Sequence, residues 1–271
     1  MNTLDQREAA ARFRSEYAAH RAGEGRRYEV EALYALPYLR SGPLGAQWAI
    51  RERTFDAFVR RVLRPAALRK AAPLDIVDLG AGNGWLCYRT ALEGHRTVAV
   101  DVREDAVDGL GAAAPYLAAR PTLFSRAAAS FADLPFRDRS FDLAVFNAAL
   151  HYALDLHSVL AEAARVVRGG GRIAILDSPF YFSDRDGQAM VEEKHRQAKR
   201  VFGSRAGALL SLPFIEFLTP ERLSSASRPL GLEWRRHRVR YPLRYELRPL
   251  LARLRRARTP SRFDLWETTV P

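Results

Sequence analysis

Ile76-Val77-Asp78-Leu79-Gly80-Ala81-Gly82-Asn83-Gly84 decides how this chain is read. A short apolar run ends in an acid. Three glycines follow at alternate positions, and the helix-compatible stretch Trp85 to Leu92 comes next. Glycine lacks a Cβ, so the main chain can turn sharply there and a ligand can approach it closely. A helix beginning at such a turn is expected to aim unpaired N–H groups at that ligand. Further on, Thr97-Val98-Ala99-Val100-Asp101 is a second apolar run closed by a carboxylate. That separation of about twenty residues suits an acid that binds a ribose.

The glycine spacing separates two kinds of nucleoside-binding unit. A dinucleotide fingerprint needs G-x-G-x-x-G, with a small third residue for close helix–strand packing. Counted from Gly80, that third place is Trp85. The pattern here is D-x-G-x-G-x-G instead.

Length allows one large domain or two small ones. The reading preferred is one domain over 1–271, with a helical cap over 1–70, a cofactor-binding core over 71–178, and the rest of the sheet with substrate-side insertions over 179–271. No stretch is long and apolar enough to span a membrane, and Met1 to Arg14 lacks the apolar core of a secretory signal. A cytoplasmic location is the expectation. Cys87 is the only cysteine, which excludes an intrachain disulfide and a cysteine-rich metal site. No metal site is expected. The net charge is +12 and nearly all of it is arginine, since lysine occurs only at Lys70, Lys194 and Lys199. Arginine favours planar oxyanions, yet surface arginines are also often plain solvated charges.

Periodicity predicts helices over 5–20 and 48–68, the second with Phe55, Phe58, Val59 and Val62 on one face. From residue 75 strands and helices alternate. Strands are predicted over 75–79, 96–102, 122–125, 140–147 and 172–176. Helices are predicted over 85–93, from 104 to 110, and over 156–167, the last ended by Gly169-Gly170-Gly171. Beyond Asp177 come a helix over 188–202, a loop over 203–213 and a helix opened by Thr219-Pro220-Glu221. Then follow a sixth strand over 232–241, a helix or lid over 245–256 and a last strand over 262–270. The alternation implies a Rossmann-like α/β fold. Its sheet is mostly parallel and seven-stranded, with helices on both faces and an N-terminal helical cap.

The glycine motif, Ser130–Phe136 (SFADLPF), Ser140–Tyr152 (SFDLAVFNAALHY) and 161–177 (AEAARVVRGGGRIAILD) together resemble the class I S-adenosylmethionine (SAM) dependent methyltransferases. The subgroup they resemble includes the ubiquinone and menaquinone methyltransferases. The resemblance implies that Asp101, with Val102 beside it, meets the ribose. It also implies that Gly80, Ala81, Gly82, Asn83 and Gly84 line the methionine portion, with Asp78 near the amino group and Asn147 facing the same end. The place of the acid that meets the adenine amine is Ser130, followed by Phe131, a ring able to stack on the adenine.

Methyl transfer needs a base only where the nucleophile carries a proton. Candidates sit at the carboxyl ends of the strands. His151 and Tyr152 follow strand four, Asp177 and Tyr181 follow strand five, and His195 lies on the next helix. His151 is the candidate catalytic base, and strand capping is its ordinary alternative. Tyr34, Tyr38 and Trp48 read equally as a lid or as core. Arg235 to Arg262 is arginine-rich with aromatics interleaved and Glu246 its only acid; RNA, an anionic membrane surface or an anionic small substrate would each suit it. The function expected is methylation of a small organic acceptor, an anionic one among the candidates, at oxygen, carbon or nitrogen. An RNA methyltransferase, a non-catalytic SAM-fold scaffold and a dinucleotide oxidoreductase are the alternatives. Oligomeric state is left open.

Overall fold

The structure, a computed structural model, describes residues 28–202 and 213–271. The helix expected over 5–20 and the loop expected over 203–213, Pro213 excepted, lie outside the described residues.

Seven strands form one sheet: β1 (Asp75–Leu79), β2 (Arg96–Asp101), β3 (Ser125–Ala128), β4 (Phe141–Asn147), β5 (Val167–Leu176), β6 (Arg235–His237) and β7 (Leu265–Thr269). Their order is β3-β2-β1-β4-β5-β7-β6. β1 to β5 pair in parallel, and β7 runs antiparallel between β5 and β6. The expected α/β class is therefore observed. The order reverses at β1, with β2 on one side and β4 on the other. That is the switch point where open α/β sheets bind ligands, outside the strands' carboxyl ends.

Alternate residues of the parallel strands face opposite layers, because successive side chains of a strand point to opposite faces. Ile76, Ala99, Leu143, Val145 and Ala174 pack under α1 (Val30–Ala35), α2 (Gly45–Phe58), α3 (Arg64–Lys70), α4 (Trp85–Leu92) and α5 (Ala114–Ala119). Val77, Val100, Ala144, Phe146 and Ile173 pack on the other side against α6 (Leu156–Val166) and α8 (Pro220–Ser227), with α7 (Asp184–Phe202) between those two in the chain. The helices α9 (Leu243–Glu246) and α10 (Arg248–Leu254) are inserted between β6 and β7.

Several boundaries differ from the sequence reading, each for a local reason. The helix expected over 48–68 contains a π-helical stretch, Val59–Leu63, just before Pro65. Proline lacks an N–H and crowds the carbonyl four residues back, and a wider turn relieves both. No helix starts at Glu104. Asp105 instead accepts from the amides of Val107 (3.0 Å) and Asp108 (3.1 Å), closing a side-chain-capped turn, and helical structure begins at Leu110. The third strand lies at 125–128 rather than 122–125. Gly169–Gly171 do not precede β5. They belong to it, where pairing jumps from Phe141↔Val167 to Leu143↔Arg172 across a bulge. β6 is short because Asp264 takes over its ladder: the Val239 amide donates to Asp264 Oδ1 at 3.0 Å.

Candidate active site

The glycine turn is left-handed three times over. Gly80, Gly82 and Gly84 have φ of 80°, 54° and 72°, a region that only glycine adopts without cost. A Cβ on Gly80 would collide with Ala149 Cβ, and one on Gly82 would lie 3.1 Å from the Asp108 carbonyl oxygen. In the direction where a Cβ would point, Gly80 and Gly82 are thus pressed against protein.

The N–H groups of the turn depart from expectation. Gly80 and Ala81 both donate to the Val100 carbonyl (2.8 and 2.9 Å), and Gly84 donates to Ala81 (3.0 Å). Gly82 donates to Asp101 Oδ2 at 2.8 Å, and Trp85 to Asn83 Oδ1 at 3.3 Å. The Asn83 side chain therefore caps α4 locally. A pyrophosphate needs several such amides aimed at it, and here five of them are already engaged. This argues against a dinucleotide and suits a ligand without phosphate. Trp85, 3% exposed, meets Trp48 and Phe55 edge-on, with centroids 5.6 and 5.3 Å apart. Trp48 is accordingly core. Tyr34 is half-buried, its hydroxyl on the Pro115 carbonyl (2.7 Å). Tyr38 is exposed on Asp56 (3.1 Å).

Two acids frame the turn. Asp101 ends β2, and its oxygens accept from the Gly82 amide and, at 2.9 Å, from the Arg103 amide. Burial pushes its carboxyl up and these amides pull it back. It is only partly covered, and each oxygen retains a lone pair. Asp78 on β1 is wholly buried; burial, then the Asp101 charge, pushes its carboxyl up to about 8. Oδ2 has only the weak Cys87 thiol at 3.8 Å, and Oδ1 has no hydrogen-bond partner. Asn147 Oδ1, at the end of β4, is likewise buried and unpartnered. Buried polar atoms are normally satisfied, so these two acceptors call for a donor from outside the chain. The ammonium of a methionine moiety is such a donor, and the residues present fit SAM. Phe131 leans over the turn: its Cε1 lies 3.6 Å from where a Gly80 Cβ would stand. Ser130 is exposed and uses Oγ to accept from Ala132 N at 3.2 Å. Val102 is exposed beside Asp101.

A second unsatisfied carboxyl was only one of several sequence candidates. Asp177 follows β5 with φ of 52° and is 7% exposed. Left-handed non-glycine residues cluster at functional sites, and Ala148, after β4, is another at 55°. Neither Asp177 oxygen has a hydrogen-bond partner. Burial raises its carboxyl to about 6 against the pull of Arg51 and Thr54 on α2. The Thr54 hydroxyl does not satisfy it, because its single hydrogen serves Ile50 O (3.4 Å) or Tyr241 Oη (3.0 Å). The Tyr241 hydroxyl in turn donates to Phe263 O at 2.6 Å. So α2 roofs both ends of the site, reaching Trp85 through Trp48 and Asp177 through Arg51.

His151 lies on a short 3-10 turn, Leu150–Tyr152, its ring tilted on Tyr152 with centroids 4.2 Å apart. Its carbonyl accepts from Glu216 N at 2.9 Å. Tyr181 is buried and accepts from Arg258 at 3.3 Å. His195 is on α7, which leaves β5 after Asp177. Within the arginine strip, Arg236 pairs with Asp264 (2.5 Å), Arg258 with Glu193 (2.7 Å) and Arg262 with Glu246 (3.0 Å). Those three are tied to acids of the fold. Among the described residues no helix is long and apolar enough to cross a membrane.

Fold, topology and site define the SAM-binding class of α/β protein, and comparison with known proteins agrees. Residues 77–175 match the family described as a methyltransferase domain. An uncharacterized methyltransferase of Mycobacterium tuberculosis is 36% identical over 114 residues, 42% of each chain. The malonyl-[acyl-carrier protein] O-methyltransferase of Hahella chejuensis is 32% identical over 109 residues, 39% of this chain and 37% of that one. The matched stretch thus spans less than half the length of these relatives. A putative methyltransferase from Bacillus halodurans shares the fold with a TM-score of 0.52 at 16% identity, over 78% of this chain and 96% of that one. Residues 77–175 thus form a methyltransferase domain of the SAM-dependent class.

Proposed function

We propose that the chain methylates a small organic acceptor bound between β5 and α2, with Asp177 taking the acceptor's proton. SAM, held as described, supplies an electrophilic methyl group on a sulfonium. The chain supplies position and proton management. One observation carries the reading: a carboxylate at the carboxyl end of β5, buried, with both oxygens unsatisfied. An acceptor hydroxyl, enol or amine satisfies it by donating a hydrogen bond. With its carboxyl raised to about 6, Asp177 is largely ionised at neutral pH and still basic enough to receive that proton. Arg51 places positive charge at the same spot, which favours an acceptor with anionic character. The H. chejuensis relative, named for O-methylation of a malonyl group, is in keeping with an oxygen nucleophile.

The test uses SAM labelled in its methyl group and a panel of small phenols, carboxylic acids and amines. Labelled product should appear with at least one of them. Asp177→Asn should then lower kcat by about 10²-fold or more, the usual contribution of a general base, with SAM affinity kept. His151→Gln distinguishes the other candidate: a comparable loss there, with Asp177→Asn near wild type, moves the base to His151. Label entering RNA and no small acceptor overturns the reading.

A further inference from the structure

The insertion between β6 and β7 presents an apolar stripe to solvent. Leu247 N donates to Leu243 O and Leu251 N to Leu247 O, both at 3.0 Å, so α9 and α10 run as one helix. Leu243, Leu247, Leu250, Leu251 and Leu254 are 74%, 41%, 55%, 43% and 73% exposed. Their spacing gathers them into a stripe about 100° wide on one side of the helix. Tyr245, on the other side, packs into the body against Tyr241 and Phe263, with centroids 4.8 and 6.4 Å away.

The rim of the stripe is cationic. Arg244 and Arg253 flank it exposed, and Arg255 and Arg256 follow it, also exposed. The acid within the helix, Glu246, is held by Arg262 at 3.0 Å and Arg238 at 3.6 Å, and Glu193 on α7 is held by Arg258 at 2.7 Å. Leucines projecting between arginines need a partner that is apolar at depth and anionic around it. RNA would engage the arginines and leave the leucines in water. The headgroup layer of an anionic bilayer meets both demands. We propose that this helix docks the protein onto anionic membrane surfaces, its leucines entering the interface and its arginines among the headgroups. The docking itself does not depend on the methyl-acceptor reading.

Co-sedimentation of the full chain with vesicles tests it. The vesicles are an equimolar mixture of phosphatidylglycerol and phosphatidylcholine, or phosphatidylcholine alone. Wild type should bind the mixed vesicles, less so as salt is raised, and leave the neutral ones unbound. The pairs Leu250→Ser with Leu254→Ser, and Arg244→Glu with Arg253→Glu, should each weaken binding by about tenfold or more. Both should keep wild-type circular dichroism and SAM affinity, since neither touches the core or the cofactor residues. Wild type that ignores mixed vesicles, or binds neutral ones equally well, overturns the proposal. So does leucine-variant binding equal to wild type. Without vesicle binding, RNA binding indifferent to the leucine changes assigns the strip to nucleic acid. Self-association abolished by those changes assigns the stripe to a second copy of the chain.

Discussion

Asp78 is the residue with the most to reveal about cofactor binding. Its carboxyl is pushed up to about 8 by burial and by Asp101, so at neutral pH the ligand-free protein holds it mostly protonated. An ammonium beside Oδ1 favours the carboxylate instead. SAM binding should therefore release a proton, and affinity should rise with pH, by at most about tenfold per unit, until it levels near the free carboxyl's own ionisation. Calorimetry in buffers of differing ionisation enthalpy reads the released proton directly; its absence would place the ammonium elsewhere. Folding obeys the same linkage. The folded state keeps a proton that the unfolded chain, at 3.8, gives up. The stability this provides is present below 3.8 and lost as pH rises through about 8. Asp101 makes a different prediction, because its oxygens hold the Gly82 and Arg103 amides and we assign them to the ribose as well. Asp101→Ala should weaken SAM by about 1–3 kcal/mol, the scale of a charge-assisted hydrogen-bond pair. Unchanged affinity in a folded variant would refute the ribose assignment.

At the scale of elements, the sequence was most readable where one local rule acted alone. β1 runs from Asp75 to Leu79 as the apolar run implied, and β4 ends at Asn147 as expected. The N-cap at Thr219 was equally visible: its side chain accepts from Arg222 N at 3.2 Å. Thr219→Ala should cost about 1 kcal/mol of stability, read as a shift in the urea midpoint, with methyl transfer unchanged because α8 packs on the face away from Asp177. Reading failed where side chains far apart in sequence decide the backbone. Asp105 captures the amides that a helix at 104 would need, and Asp264 captures the amide that would extend β6. The candidate site divides in the same way. The glycines and Asp101 were read from a motif of fixed spacing, Asp78 and Asn147 from the family resemblance. That the turn's amides are already engaged could not be read so, because Val100 and Asp101 are brought to them by strand pairing. The proposed role of Asp177 was also hidden. It rests on a pairing of Thr54 with Tyr241, 187 residues apart, beside a carboxylate whose oxygens have no hydrogen-bond partner.

For the molecule as a whole, the arginine-rich end is less a uniform charged coat than a tie. Asp264, 1% exposed, accepts from Arg236 Nη2 (2.5 Å), the Val239 amide (3.0 Å) and Arg262 Nε (3.4 Å). Arg262 also grips Glu246 at the foot of the membrane-facing helix, and its main chain pairs both ways with Phe180 just beyond Asp177 (3.0 and 2.9 Å). One buried carboxylate thus links the β6–β7 edge, the insertion and the loop that leaves the acceptor site. Removing one partner of a buried ion pair costs about 3–5 kcal/mol, because the other charge is left in low dielectric without compensation. Asp264→Ala should lose stability short of that scale in urea unfolding, about 1–3 kcal/mol, since Arg262 keeps Glu246 while the Val239 amide loses its acceptor. Asp264→Ala combined with Arg262→Met removes both charges and should recover part of the loss, the signature of coupling through the pair. If the double variant is as unstable as the sum of the two single ones, Asp264 serves only as a backbone cap for Val239, and the acceptor loop is held by Phe180 alone.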